Sequence, residues 1–350
     1  MSGKPTGPGP GKRVRLKDVA ERAGVAVNTA STILNRRPNS WASEATVERV
    51  FAAAEALGYR PNRAAVALQS GRFQSIGLLV ADLNNPYFTH VASLFGEAVE
   101  TLGYDLVIES WRTDLEREKK LLQDFAERNV DGVLAFVSDV GAHHEIFRNQ
   151  AAAGVPFVAL GMPGAGEVPV DLVMPDFAPG LAEAAAALHA DGHRRFAMLD
   201  ARSRGQRAGR RPAIFEENVS SLDGATLETL HCGPAIDEAR QAMAPVLARP
   251  DRPTAVVALN DLTAIGVMRA AIDAGLKVPG DLSVVGIDGV PMAAHLPVSL
   301  STIAQPHAGM VARAVEFLMS RIEGIDDAPR RAEFPTTFIA RESSGPAPGN

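Results

Sequence analysis

The chain has 350 residues, too long for one small domain, and at 46% hydrophobic and 22% charged it can bury a sizeable core. Its single cysteine, Cys232, excludes an internal disulfide and fits a reducing, cytoplasmic setting, and its apolar runs are too short and broken for a helix that spans a membrane. The net charge of −6 is unevenly placed: residues 1–72 hold 12 Lys and Arg against five acids, a net +7, while the remainder stands at −13, so only the front end suits a polyanion. Residues 1–13, rich in Gly and Pro and without an apolar core, are expected to be a disordered tail and not a signal peptide.

Leu16, Val19, Ala20 and Ala23 recur at helical spacing until Gly24-Val25 breaks the pattern. Val27 to Leu34 fits a second short helix with Ala30, Ile33 and Leu34 inward. After a loop at Arg36 to Ser40, Ser43 reads as the N-cap of a third helix, Glu44 to Leu57, which Gly58 stops. Pro61-Asn62 punctuates, and Arg63 to Ser70 fits one more short helix. Beyond Gly71, strand-length apolar runs alternate with helical ones. Strands are expected at Ser75–Val80, Tyr104–Glu109, Gly132–Val137, Phe157–Leu160, Arg195–Leu199, Ala255–Leu259 and Leu282–Ile287. Helices are expected at Pro86–Leu102, Leu115–Asn129, His144–Ala153, Gly180–Ala190, Leu262–Ala274 and Ala308–Ile322. Such alternation means parallel sheets with helices on both faces, and the number of units points to two similar lobes.

Two helices across a tight turn, backed by a third, make a helix-turn-helix. The turn needs small residues where the helices cross, and Ala20, Gly24 and Val25 supply them. The second helix then exposes Val27, Asn28, Thr29, Ser31 and Thr32. Asn can pair with adenine, Thr can meet a thymine methyl, and hydroxyls and nearby cations such as Lys17 can bind phosphate. The bland alternative is an ordinary helical bundle with a solvated charged face.

Leu16-Lys17-Asp18-Val19-Ala20-Glu21-Arg22-Ala23-Gly24-Val25, Thr29, Ser31, Leu34-Asn35 and Leu57-Gly58-Tyr59-Arg60-Pro61-Asn62 resemble the headpiece of the lactose-repressor (LacI/GalR) family. Ile76-Gly77, Asn85-Pro86-Tyr87-Phe88, Asn260-Asp261, Gly275 to Pro279, Asp281 to Asp288 and Leu300 to Pro306 continue the likeness over roughly residues 14–342. It implies a small all-α helix-turn-helix headpiece (14–61), a hinge (62–72) and a two-lobed α/β domain like the periplasmic sugar-binding proteins (73–345). It also implies a homodimer on a near-palindromic DNA operator, repression as the default, and a small-molecule effector, most naturally a sugar. Asn62, Ala65 and Leu68 fall at the family's hinge contacts, with Leu68 placed to wedge into the minor groove. The sequence departs from the family at Ala26, where Ser is usual, at Thr32, where Arg is frequent, and in a longer loop around Trp41.

For the effector, loops at the carboxyl ends of strands converge in a cleft between lobes. Tyr87 and Phe88 are candidates to stack on a ring. Asn260 and Asp288, at strand ends, either bond ligand hydroxyls or cap the helices that follow. The family's ligand-binding Arg, three residues before a Gly, falls at Gln206 if Gly209 is that Gly, while Arg202 to Arg211 reads more readily as a solvated loop. Trp111 either reaches the cleft or packs. No phosphate loop, nucleophile elbow or zinc-protease helix occurs, and His143, His144, His189 and His193 read as surface or capping residues. No enzyme activity and no cofactor or metal is therefore expected. The competing reading is a cytosolic solute-binding protein, which has no use for the basic front end.

Overall fold

The computed structural model describes residues 14–34, 42–60, 71–127, 130–161, 168–201, 210–325 and 328–349. The chain divides into two compact units, residues 1–73 and 74–350.

In the first unit the three expected helices are α1 (Leu16–Ala23), α2 (Val27–Leu34) and α3 (Glu44–Leu57). Their spacing turns Val19, Ala20, Ala23, Ala30, Ile33, Val50, Ala53 and Ala54 into one buried cluster. Small side chains dominate it, so the helices approach closely. Gly24 ends α1 at φ +64°, which lets the Val25 N–H reach back to the Ala20 carbonyl at 3.0 Å. A residue with a Cβ would be strained there. Ser43 does precede α3, but through its backbone: its carbonyl accepts from Thr46 N at 2.8 Å, and its hydroxyl pairs with that of Thr46. The loop at Arg36 to Ser40 with Trp41, and the expected helix at Arg63 to Ser70, lie outside the described residues.

The second unit holds two six-stranded sheets. The first lobe is built from β1 (Ser75–Val80), α4 (Pro86–Glu100), β2 (Asp105–Ser110), α5 (Leu115–Glu127), β3 (Gly132–Phe136), α6 (His144–Ala152), β4 (Phe157–Leu160) and β5 (Asp171–Asp176). The second lobe runs through α7 (Ala178–Ala190), β6 (Arg195–Ala201), α8 (Arg210–Ser220), β7 (Thr226–Cys232), α9 (Ile236–Leu247), β8 (Ala255–Val257), α10 (Asp261–Asp273), β9 (Ser283–Asp288) and β10 (Ser301–Ala304). The chain ends in α11 (His307–Ile322), β11 (Arg331–Pro335) and β12 (Thr337–Ile339). The strand orders are β11-β5-β4-β3-β1-β2 and β12-β10-β9-β8-β6-β7, parallel throughout except for β12. Central strands buried on both faces account for the continuous apolar runs Ile76–Val80, Val133–Phe136 and Val284–Ile287.

The chain passes between lobes three times: after β5, between β10 and α11 (which packs on β3, β4 and β5), and between β11 and β12. Thr336 ties two of these crossings together, since its N–H and its hydroxyl both donate to the Asp176 carbonyl at 2.9 Å. Gly180 lies against the same knot. A Cβ there would sit 2.5 Å from Ile303 Cγ2 and 2.6 Å from Thr336 Oγ1, so only glycine permits the approach.

Two histidines correct the sequence reading. His193 is fully buried and bonds the Thr254 and Ser283 hydroxyls and the Gly345 carbonyl, all within 3.0 Å, and so holds the C-terminal segment. His143 is buried beside Glu118, which itself takes the Ser138 N–H and hydroxyl at 2.6 Å. His189 is half-buried and bonds the Asp223 carbonyl through Nε2 at 2.9 Å.

Candidate functional site

On α2, burying Ala30 and Ile33 turns the opposite face outward. Val27 (42% exposed) and Asn28 are exposed, and Thr29, Ser31 and Thr32 are half-buried. Thr32 spends its hydroxyl on the Asn28 carbonyl at 2.9 Å, which fixes its rotamer and leaves its methyl as an apolar contact. Lys17, on α1, is exposed and paired loosely with Glu21 at 3.6 Å. Such a surface pair yields readily to a phosphate. Asn62, Ala65 and Leu68 lie outside the described residues.

In residues 74–350, Tyr87 and Phe88 begin α4 just after β1. Asn85 caps this helix, its Oδ1 accepting from Tyr87 N at 3.0 Å, and Pro86 occupies the first turn. Tyr87 is 7% exposed and sits edge-on to Phe88, Phe136 and His307, with centroids 5.0, 5.8 and 5.3 Å away. Its hydroxyl donates to Gln305 Oε1 at 3.3 Å, and Gln305 Nε2 donates to Asp288 Oδ1 at 2.9 Å. This relay runs from the first turn of a helix in the first lobe to a strand end in the second. Asp288 closes β9 at φ +127°, a conformation strained for a residue with a Cβ, and is 5% exposed. Burial, and then the charge of Asp261, pushes its carboxyl well above the usual range against the pull of Arg211 and Gln305.

Asn260 does cap α10, with Oδ1 accepting from Thr263 N at 2.8 Å. Its Nδ2 donates no hydrogen bond among the described residues. Trp111 packs: it is buried and donates Nε1–H to the Phe136 carbonyl at 3.0 Å. Gln206 lies outside the described residues, as does most of the arginine-rich stretch. Its last member corrects the loop reading: Arg211 stands in the first turn of α8, half-buried, with Nη1 donating to the Leu259 carbonyl at 2.9 Å and its charge felt by Asp288, Asp200 and Tyr87. Sequence reasoning also missed Gln305 and Asp261, whose only signal was membership of the family-like stretches around them.

Asp261 shapes the strand-end loop. Its Oδ1 accepts from Thr302 Oγ1 at 2.6 Å, and its Oδ2 accepts from the N–H groups of Gly289 and Val290 at 2.9 and 2.8 Å. A Cβ at Gly286 would lie 2.1 Å from its Oδ1. Burial pushes this carboxyl up to about 6, although the three hydrogen bonds oppose the shift. A carboxyl near 4 in the unfolded chain and near 6 in the folded one leaves the folded state holding an extra proton between those values. Its contribution to stability is present at low pH and is lost as pH rises through about 6. We expect the Tm advantage of the wild type over Asp261→Asn to be larger at pH 5 than at pH 7. A difference that ignores pH would show that Asp261 does not titrate here. On the facing element, burial and His90 pull the His307 imidazole down to about 4, so it is neutral at pH 7.

Residues 15–62 match the family model described as bacterial regulatory proteins, lacI family, and residues 185–344 match that of a periplasmic binding protein-like domain. The chain is 31% identical over 347 residues to the HTH-type transcriptional regulator MalR of Streptomyces coelicolor, covering 96% of this chain and 98% of that protein. It is 30% identical over 329 residues to the ribose operon repressor of Halalkalibacterium halodurans, covering 94% and 96%. Among solved structures, the lac repressor dimer bound to operator and the anti-inducer ONPF matches with a TM-score of 0.80 at 25% identity, covering 95% of this chain and 99% of that one.

Proposed function

The chain belongs to the lacI family of bacterial regulatory proteins, and on that premise we propose how it acts as a DNA-binding, effector-controlled transcription repressor. As a cytoplasmic homodimer it sets two copies of α2 into adjacent major-groove half-sites of a near-palindromic operator. Asn28 and the Thr32 methyl read base edges, while Lys17, Thr29 and Ser31 bind phosphate. Residues 62–72 form the hinge, with Asn62, Ala65 and Leu68 at the minor groove. A sugar or related metabolite enters between the lobes, lies against Tyr87 and Phe88, and bonds Asp288 and the Asn260 amide.

The observation that carries this reading is the relay Tyr87–Gln305–Asp288, because it makes the lobe contact depend on the carboxylate a ligand would bind. A ligand shifts the balance of lobe arrangements only by its difference in affinity for them, tenfold for each 1.4 kcal/mol.

The test is a mobility-shift titration of the full chain against DNA flanking its own gene, with random DNA as competitor, repeated with a panel of sugars. Asn28→Ala is expected to cost about 1–3 kcal/mol on the preferred site, roughly 5- to 150-fold, and to leave random DNA nearly unaffected. Lys17→Ala is expected to weaken both and to lower the salt slope by about one. Equal affinity for operator and random DNA would defeat the assignment.

A further inference from the structure

The carboxyl edge of the second sheet places three strand ends side by side: Asp200 near the end of β6, Asn260 after β8 and Asp288 at the end of β9. Asp288 has Gln305, and Asn260 has its helix cap. Asp200 is 3% exposed, yet its carboxylate accepts no hydrogen bond among the described residues. Its one ion-pair partner among the described residues is His231, whose Nδ1 is 3.8 Å away, beyond hydrogen-bond distance, on a ring 44% exposed. A buried carboxylate without donors is unfavourable, and such breaches of packing rules collect where a ligand completes the site. Arg211 makes no hydrogen bond to it: that guanidinium donates to the Leu259 carbonyl, and its charge is felt by both Asp288 and Asp200.

We propose that Asp200 is an effector-binding residue that sets the ligand's chemical class. It accepts a hydrogen bond from a hydroxyl of a neutral, hydroxyl-rich molecule, and the cleft rejects that molecule's phosphate ester. The proposal rests on the effector reading above and adds to it. Asp288 and Asp200 both act on the Arg211 charge, so a phosphate arriving at this edge finds no uncommitted cation among the described residues. A sugar instead offers hydroxyl donors at the spacing of adjacent strand ends, and an ionised carboxylate is the strongest acceptor for them.

The test uses the full chain and Asp200→Asn, with ribose, glucose, galactose and cellobiose set against ribose 5-phosphate and glucose 6-phosphate. Without any sugar, Asp200→Asn is expected to keep or raise Tm, because no described residue donates a hydrogen bond to the carboxylate that it replaces. A fall of more than about 4 °C means that the carboxylate is structurally paired, and overturns the proposal. In calorimetric titration, at least one neutral sugar is expected to bind the wild type, its phosphate ester to bind at least tenfold more weakly, and Asp200→Asn to lose about tenfold for the sugar. Equal binding of the ester, wild-type affinity in the variant, or no binding of any neutral sugar each overturns it. Loss of operator preference by the sugar-free wild type would strike the regulator reading instead, so the two failures are distinguishable.

Discussion

Asp171→Ala is expected to cost residues 74–350 about 3–5 kcal/mol, with a fall in Tm on the order of 10 °C. The carboxylate stands at the start of β5, and its side chain is fully buried. It takes four hydrogen bonds: Arg321 Nε and Nη2 at 3.0 and 2.9 Å, and Arg330 N and Nη2 at 2.8 and 2.6 Å. Arg321 lies on α11 and Arg330 just precedes β11, so one residue joins a central strand to two segments 150 or more positions later. Burial favours the neutral acid, but the two guanidinium groups outweigh it and hold the carboxyl below its usual range. Removing the carboxylate leaves two cations, only 15% and 28% exposed, facing each other without a counter-charge. Asp171→Asn, which keeps one acceptor oxygen, should lose less. Urea unfolding read by circular dichroism checks both, and a loss under about 1 kcal/mol for the alanine variant would show that water screens the pair better than its burial implies.

This triad also marks where the sequence stopped being legible. The first unit could be read because its logic is local: the spacing of Leu16, Val19, Ala20 and Ala23, and the stops at Gly24 and Gly58, each act within one or two turns. The β–α alternation was legible from Ser75 to Leu160 for the same reason. β5 was missed because its run, Asp-Leu-Val-Met-Pro-Asp, carries acids at both ends and a proline near its close. α8 was missed because Arg210-Arg211-Pro212 reads as a loop, although proline is tolerated in a first turn. β11 carries alternating charges and pairs with β5, far behind it in the chain. The same limit applied to the cleft. Tyr87 and Asp288 were found through motifs, whereas Gln305, Arg211, Asp261 and Asp200 owe their roles to neighbours that only the crossover topology brings near. Counting back from Gly209 led to Gln206, while the guanidinium that the fold sets beside Asp288 is that of Arg211.

Asp288→Ala is expected to lower effector affinity by a factor on the order of 100 or more, while operator binding without effector stays within a few-fold of wild type. A carboxylate that accepts from two neighbouring hydroxyls makes two charge-assisted hydrogen bonds, each contributing about 1.5–3 kcal/mol, and these oppose the burial and the Asp261 charge that otherwise favour the neutral acid here. Losing both gives roughly 3–6 kcal/mol, or about 10²- to 10⁴-fold. The fold should survive, because Asp288 is a net electrostatic burden: burial and Asp261 both disfavour its charge, and Gln305 Nε2 is its one hydrogen-bond donor among the described residues. The strain at φ +127° persists in alanine and would be relieved only by glycine. The resulting repressor should hold its operator at effector concentrations that release the wild type, or fail to gain affinity if the effector acts as a co-repressor. Asp288→Asn retains one acceptor and should fall between. The variant also cuts the relay at its far end, so the Tyr87–Gln305 contact no longer reports on the ligand and the lobes lose the link through which binding is coupled to their arrangement. Operator titrations at several effector concentrations measure both effects together. An alanine variant that responds at the wild-type concentration would place the effector somewhere other than against this strand end.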